Sequence, residues 1–404
     1  MKILVQKFGG TSVATPETRE KVYEKIISAK NDGYSPVVVI SAMGRKGAPY
    51  ATDTLLDLID FNHQDIMKRE VDQIFSCGEI ISGVIITTTL QKKGFKASYL
   101  TGMQAGILTT NDFGDARIIK VETDKIHSLL QEGKIVVVAG GQGGTSDREI
   151  TTLGRGGSDT TACALGVALN AEGIDIYTDV EGIMAVDPRI VDNPEIFKEI
   201  SYSFCSDMAK NGASVIHPRA VEIASQSPNT KLRVRSTFSE SLGTLISNNN
   251  LNEEKGSDIK VDKLPMGIAR IDNQTIYKVH SMTQVKKLNL LEELGARTVD
   301  VCDINPEEDN MLLIAQKNNE YIIDTTLNSI NLDFVKIQGL SQVSVVGIDP
   351  TRTNGLIIQI LRILEQNNVK VIAKSFENNA IKIWINSEYA VDGIKAIHEI
   401  ILRK

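Results

Sequence analysis

"KILVQKFGGTS", residues 2–12, sets the reading of the whole chain. Ile3–Val5 reads as a short buried strand within Lys2–Gln6. Gly9 and Gly10 then free the backbone to turn sharply and let a ligand approach it closely. Thr11 and Ser12 offer hydroxyls, to a ligand or as caps for a helix starting near Thr15–Pro16. Lys7 places a positive charge at the mouth of the turn. A strand, a cationic glycine turn and a helix suit an oxyanion such as phosphate. The same residues also make an ordinary strand–helix junction with a surface lysine.

The pattern recurs through the first 240 or so residues. "SPVVVISAMG" (35–44), "KASYLTGMQAG" (96–106), "KIVVVAGGQGG" (134–144), "GIDIYTDVEGI" (173–183) and "KLRVRST" (231–237) read as strands. Several end in glycine turns, and helical stretches such as "SDTTACALGVALNA" (158–171) lie between them. Apolar runs buried on both faces and alternating with helices predict a mainly parallel sheet covered by helices, an α/β fold. Such sheets bind ligands beyond the carboxyl ends of their strands.

"TTLGRGGSDTTACALG" (151–166) is the second informative stretch. Gly154, Gly156 and Gly157 make a tight loop before a helix of small residues, so loop amides and the positive helix end can face one point. Arg155 adds a planar fork suited to a carboxylate or a phosphate. Asp159 suits an ammonium group. A capped helix start, with Ser158 or Asp159 as the cap, accounts for the same letters. Gly154–Asp159 departs from the dinucleotide pattern G-x-G-x-x-G at its last position, and a G-x-x-x-x-G-K-[ST] phosphate loop is absent from the sequence.

The 404 residues are too many for one ordinary core. Apolar residues make up 42% and charged residues 24%, the composition of a globular protein. The net charge of −7 argues against a broad nucleic-acid or membrane surface. The apolar runs fall short of a membrane span, and no secretory leader pattern is present. Cys77, Cys163, Cys205 and Cys302 show neither C-x-x-C pairing nor histidine clustering, so reduced thiols in a cytoplasmic protein are expected, and no metal site.

"SNNNLNEEKGSD" (247–258) reads as a linker. Beyond it, "TQVKKLNLLEELGARTVDV" (283–301), "MLLIAQK" (311–317) and "TTLNSINLD" (325–333) are echoed by "NGLIIQILRILEQNNVKVI" (354–372), "AIKIWI" (380–385) and "VDGIKAIHEIILR" (391–403). The echo predicts two α+β modules in strand–helix–strand–strand–helix order. They carry few candidate catalytic groups, which favours a binding role.

Taken together, "KFGGTSV" (7–13), "SAMG" (41–44), "SCGE" (76–79), "TLGRGGSDTTA" (152–162), "TDVEGIMAVDPR" (178–189), "GASVIHPRAVEIA" (212–224) and "RVRST" (233–237) resemble the ordered motifs of bacterial aspartate kinases. "SAMGRKGAPYATDTLL" (41–56) resembles the diaminopimelate-sensitive type of Bacillus-like bacteria, and the C-terminal modules resemble ACT domains more loosely. The resemblance implies an amino-acid-kinase αβα sandwich at 1–246, a linker at 247–262, and ferredoxin-like ACT domains at 263–335 and 336–404, which the family interleaves.

The same resemblance implies transfer of the ATP γ-phosphoryl group to the β-carboxylate of L-aspartate. Lys7, with Phe8, Gly9 and Gly10, is expected to hold the nucleotide phosphates. Ser158, Thr178, Asp179, Met184, Ala185, Val186, Asp187, Pro188 and Arg189 complete the nucleotide site. Mg²⁺ is expected through phosphates and water. Arg155 is expected to clamp the α-carboxylate, Glu79 and Asp159 to grip the ammonium, Ser41 and Thr52 to help seat the β-carboxylate, and Gly156, Gly157 and Ser158 to join them in the substrate site. Lys7 and Asp159 are the residues the resemblance implies to be catalytic. Local alternatives stand beside these: Glu79 as a first-turn acid of a helix beginning near Ile80, Thr52 as a helix cap, Asp187–Pro188 as a turn.

Relatives usually carry lysine where this chain has Ser214, a loss on the order of 2–4 kcal/mol of transition-state stabilisation unless Lys210 or Arg219 substitutes. The expected effector at the ACT pair is a pathway amino acid (diaminopimelate, lysine or threonine), and the expected assembly a homodimer or dimer of dimers. A kinase for another acidic amino acid, and a weakly active or non-catalytic sensor of the same fold, are the alternatives.

Overall fold

A computed structural model describes residues 1–60, 67–213, 215–248, 265–280, 282–296, 310–348, 353–377 and 379–401. The chain divides into two compact units, Met1–Ile183 with Ile196–Ala209 and Ser214–Val261, and Met184–Glu195 with Lys210–Ala213 and Asp262–Lys404.

The first unit runs β1 (Ile3–Phe8), α1 (Pro16–Asn31), β2 (Ser35–Ile40), α2 (Thr52–Leu56), α3 (Lys68–Lys92), β3 (Ala97–Leu100), β4 (Ile107–Thr109), β5 (Ile118–Val121), α4 (Asp124–Gln131), β6 (Ile135–Ala139), β7 (Gln142–Gly144), β8 (Ile150–Thr152), α5 (Gly157–Ala168), β9 (Gly173–Thr178), β10 (Glu199–Ser201), α6 (Tyr202–Lys210), α7 (Pro218–Ser225), β11 (Lys231–Ser236) and β12 (Thr244–Ser247). Eight strands form one sheet in the order β10-β12-β11-β9-β1-β2-β6-β3. Every pairing in it is parallel except β11 with β12. β6 is buried along its whole length, as a strand covered on both faces must be. On one face Phe8, Val38, Ile40 and Val137 pack against Val22 and Ile26 of α1 and Ile86 and Leu90 of α3. α5 lies on the other, its Gly166 so close to Ile174 that an added Cβ would stand 2.4 Å from that side chain. A second sheet, β5-β4-β7-β8, extends this unit.

α1 starts at Pro16 as expected, but its cap differs from expectation, as does the start of α3. Thr15, not Thr11 or Ser12, caps α1, in a reciprocal box with Thr18. α3 begins at Lys68 rather than near Ile80, which places Glu79 in its interior. α3 is long and apolar enough by composition to cross a bilayer. One face of it packs into the core of the first unit, with Ile86 and Leu90 fully buried.

The second unit holds β13 (Gly267–Val279), α8 (Gln284–Ala296), β14 (Met311–Gln316), α9 (Glu320–Ser329), β15 (Phe334–Val346), α10 (Thr353–Gln366), β16 (Val371–Glu377), β17 (Ala380–Asn386) and α11 (Ala390–Ile401). They form a sheet in the order β14-β13-β15-β17-β16. α9 lies earlier than the 325–333 expected. The strand expected between α8 and β14, and most of the 247–262 linker, fall outside the described residues, as do Ser214 and Cys302.

The boundary expected at 335/336 falls inside β15. Its first half pairs with the second half of β13, its second half with the first half of β13 and with β17. One long ribbon therefore serves both modules. The 1–246 span is also not one block. Val186 joins the apolar core of Val343, Val345, Ile381 and Ile383, and the Ala185 carbonyl accepts from the Ile268 amide at 2.7 Å.

Candidate active site

β9, β1, β2 and β6 lie side by side and parallel, so their carboxyl ends share one edge. The turns there are stitched together by backbone hydrogen bonds. Ser41 N donates to Phe8 O at 3.2 Å, Gly9 N to Tyr177 O at 3.4 Å, and Gly140 N to Ile40 O at 2.9 Å. Gly10 is required by space, since a Cβ would stand 2.7 Å from Gly44 O and 2.9 Å from Ala42 O. Phe8 is fully buried and stacks on Tyr177 at 4.7 Å, so its side chain belongs to the core and its backbone alone faces the edge.

α5 starts at this edge. Its cap is Gly156, at φ +70°, rather than Ser158 or Asp159. A Cβ on Gly156 would stand 2.4 Å from the His217 ring. The amides of Gly157 and Asp159 are already donated to Gly154 O and Gly156 O, each at 3.1 Å. Less of the loop's backbone is thus open to an anion than its glycines suggest.

The side chains form a connected chain of contacts. Lys7 Nζ lies 2.6 Å from Asp159 Oδ1, with both side chains largely buried. The pair is close enough for strong attraction but not aligned as a hydrogen bond. Ser158, next to Asp159, meets Ser41 Oγ to Oγ at 3.0 Å. Ala42, next to Ser41, donates its amide to Glu79 Oε1 at 3.3 Å. Glu79 is only 5% exposed, and its Oε2 has no partner among the described residues. Burial pushes its carboxyl up to about 8, with hydrogen bonds from its own backbone and from Ala42 opposing.

Arg155, four residues before Asp159, is exposed and has no ion-pair partner among the described residues. Four residues of chain reach no further than about 14 Å, so the two glycine turns and their cations belong to one locality. Thr52 is the first residue of α2, which starts from Ala51 without a side-chain cap. Thr178 Oγ1 donates to Asp179 Oδ1 at 3.1 Å, and Asp179 pairs with Arg45 at 2.8 Å. Arg219 is engaged by Asp115 at 2.8 Å, and Lys210 is exposed at the end of α6.

Met184–Arg189 lie in the second unit. There Arg189 clasps the Asp187 carboxylate at 2.6 Å and, by that hydrogen bond, holds its titration below the usual range. Ala185 and Val186 are buried; Pro188 and Arg189 are exposed.

Two residues here went unread as site groups in the sequence. His217 rests on Gly156, and its Nδ1 accepts the Arg219 amide at 3.3 Å. Burial and then Arg219 lower its titration, while Asp159 and Asp115 oppose. Asp72, 1% exposed, binds the strand that leads into the Arg155 loop. The histidine sits in a quoted motif; nothing local marks the aspartate.

A sequence model of the amino acid kinase family matches residues 2–236. Aspartokinase 1 of Bacillus subtilis (strain 168) is 39% identical over 405 residues, covering 99% of each chain. The chain belongs to the aspartokinase family. An aspartokinase of Geobacillus stearothermophilus is 36% identical over 407 residues, covering 99% of this chain and 97% of that one. Among solved structures, Escherichia coli aspartokinase III in complex with aspartate and ADP superposes with a TM-score of 0.79 at 22% identity, covering 99% of this chain and 100% of that one. Clostridium acetobutylicum aspartate kinase gives 0.71 at 22% identity, covering 98% of this chain and 99% of that one. These likenesses establish the fold: an amino-acid-kinase unit followed by ACT-type modules.

Proposed function

We propose that this aspartokinase transfers the γ-phosphoryl group of ATP to the β-carboxylate of L-aspartate. The observation that carries the reading is Glu79, a carboxylate sunk in a helix interior with one oxygen unpartnered, linked through Ala42, Ser41 and Ser158 to the Lys7–Asp159 pair. A buried polar atom without a partner costs free energy unless a ligand satisfies it. A substrate ammonium does so, and draws the proton off Glu79 as it binds. Arg155 supplies the fork for the α-carboxylate.

The acceptor oxygen is already anionic at neutral pH, so no general base is needed. The requirement is to hold two anions in line and neutralise the charge spread over the transferring group. Lys7, presented by β1 and held by Asp159, is the cation placed for that. Phosphates that bind near it compete with Asp159 for its charge. Mg²⁺ bound with ATP would neutralise phosphate oxygens further. The carboxylates Asp159 and Asp179 are each committed to a cation, which suits a metal carried by phosphate and water rather than by a protein cage.

We infer further that the second unit binds an amino-acid effector and shifts the kinase between populations. The 41–56 resemblance favours diaminopimelate over lysine or threonine. A homodimer or dimer of dimers acting in the cytoplasm completes the reading. The test is ATP-dependent acyl phosphate formation, trapped as hydroxamate, with L-aspartate and L-glutamate compared and each effector added in turn. Turnover with aspartate alone supports the reading. No turnover at millimolar substrate overturns it in favour of a sensor.

A further inference from the structure

Asp72 lies in the first full turns of α3 and is 1% exposed. Its Oδ2 accepts the Gly114 amide at 3.0 Å and the Thr152 amide at 2.8 Å, and its Oδ1 accepts the Thr152 hydroxyl at 2.7 Å. Thr152 ends β8, three residues before Arg155. The Thr152 carbonyl accepts the Ala116 amide at 2.9 Å, which binds the 114–116 turn to the same strand. Gly154, at φ +72°, packs so that a Cβ would stand 3.1 Å from Gly114 O. Arg219 adds an outer brace through Asp115, at 2.8 Å.

Asp72 and Glu79 are seven residues apart, two turns of one helix, and both are buried. The helix therefore carries Glu79 at one point and, through Asp72, grips the root of the Arg155 loop at another. None of the three donors to Asp72 carries a charge. Its partners are two amides and one hydroxyl, all of which belong to the strand and turn that shape the loop.

We propose that Asp72 is a positioning residue that sets the spacing between Glu79 and Arg155, and so the fit of an α-amino acid's ammonium and carboxylate. This rests on the roles proposed above for those two residues. Asp72 touches no substrate. It acts by fixing one end of the binding site relative to the other, and small misplacements of such groups are costly.

The test compares parent, Asp72→Ala, Asp72→Asn and Thr152→Val by the hydroxamate assay, reading KM for aspartate, KM for ATP and kcat, with thermal unfolding in parallel. Asp72→Ala should raise KM for aspartate roughly ten- to a hundredfold and leave KM for ATP within about twofold. Asp72→Asn should restore KM for aspartate to within about threefold, because its carbonyl can accept both amides and its amide can donate to Thr152. Equal rises in both KM values, or a lower unfolding temperature with KM for aspartate unchanged, overturn the proposal. So does Asp72→Asn behaving like Asp72→Ala. If Asp72→Ala does not fold, Thr152→Val carries the comparison, with a smaller aspartate-specific rise expected and its absence decisive. Turnover of aspartate by the parent tests the underlying reading separately. A parent that turns over no aspartate overturns both, whereas an active parent with indifferent variants overturns the clamp alone.

Discussion

The two glycine turns of the first unit hold their cations in opposite ways. Lys7, beside Gly9 and Gly10, is largely buried and pinned 2.6 Å from Asp159. Arg155, between Gly154 and Gly156, is exposed and unpaired among the described residues. Lys7 has given up its freedom during folding, so it meets a developing charge with little reorganisation. Arg155, so exposed and unpaired, keeps its rotamers in the folded protein, as the capture role proposed for it requires. Under the function proposed above, the difference assigns one turn to the transition state and the other to recognition.

Replacing Lys7 with Ala should break this comparison hardest. A loss of roughly a hundred- to a thousandfold in kcat is expected, because the site loses its preorganised cation and strands Asp159. A kcat within tenfold of the parent in steady-state assays would remove Lys7 from the transition state. Arg155→Ala should instead raise KM for aspartate about ten- to a hundredfold, the worth of hydrogen bonds to a charged group, with KM for ATP nearly unchanged. Were KM for ATP to rise alone, Arg155 would be a phosphate ligand and the two turns would share one role.

Glu79 sharpens the comparison through pH. Its carboxyl titrates near 8 in the free protein. kcat/KM for aspartate should therefore rise about fivefold between pH 7 and 8, while Glu79→Gln gives a weaker and flat profile there. The linked stability has a definite sign. The folded-state value lies above the ordinary 4.5, so the folded protein binds this proton more tightly and loses stability as pH rises from about 4.5 to 8. Glu79→Gln should then be more stable than the parent at pH 8, by calorimetry, even as it binds aspartate worse. Gly156→Ala tests the geometry of the recognition turn. The left-handed φ costs about 1 kcal/mol and the displaced His217 ring adds to it. An unfolding temperature equal to the parent's would show that this packing is slack.

The central strands were legible because parallel strands buried on both faces must be continuous apolar runs, and "IVVVA" is one. The long strands of the second unit were not. Asn273 within β13 has φ +58°, and the β13–β15 register shifts between Ile271 and Gln274, so the alternation that marks a strand is interrupted. Gly339 does the same in β15, at φ +70°. The setting of Glu79 was hidden by Gly78, which reads as a break before a helix. In the fold Gly78 lets α3 approach the turn after β2, where a Cβ would stand 2.6 Å from that of Ala42.

The sequence alone determined the alternation of strand and helix, the two cationic glycine turns and, through its ordered motifs, the family. Those depend on neighbours along the chain: apolar runs, backbone freedom at glycine, spacing. The tertiary structure alone decided that Lys7 pairs with Asp159, that Glu79 is buried with an oxygen to spare, that Asp72 holds the root of the Arg155 loop, and that Val186 packs in the second unit. Each joins residues distant in sequence. Burial and partnership there are set by how elements pack, and no local pattern encodes them.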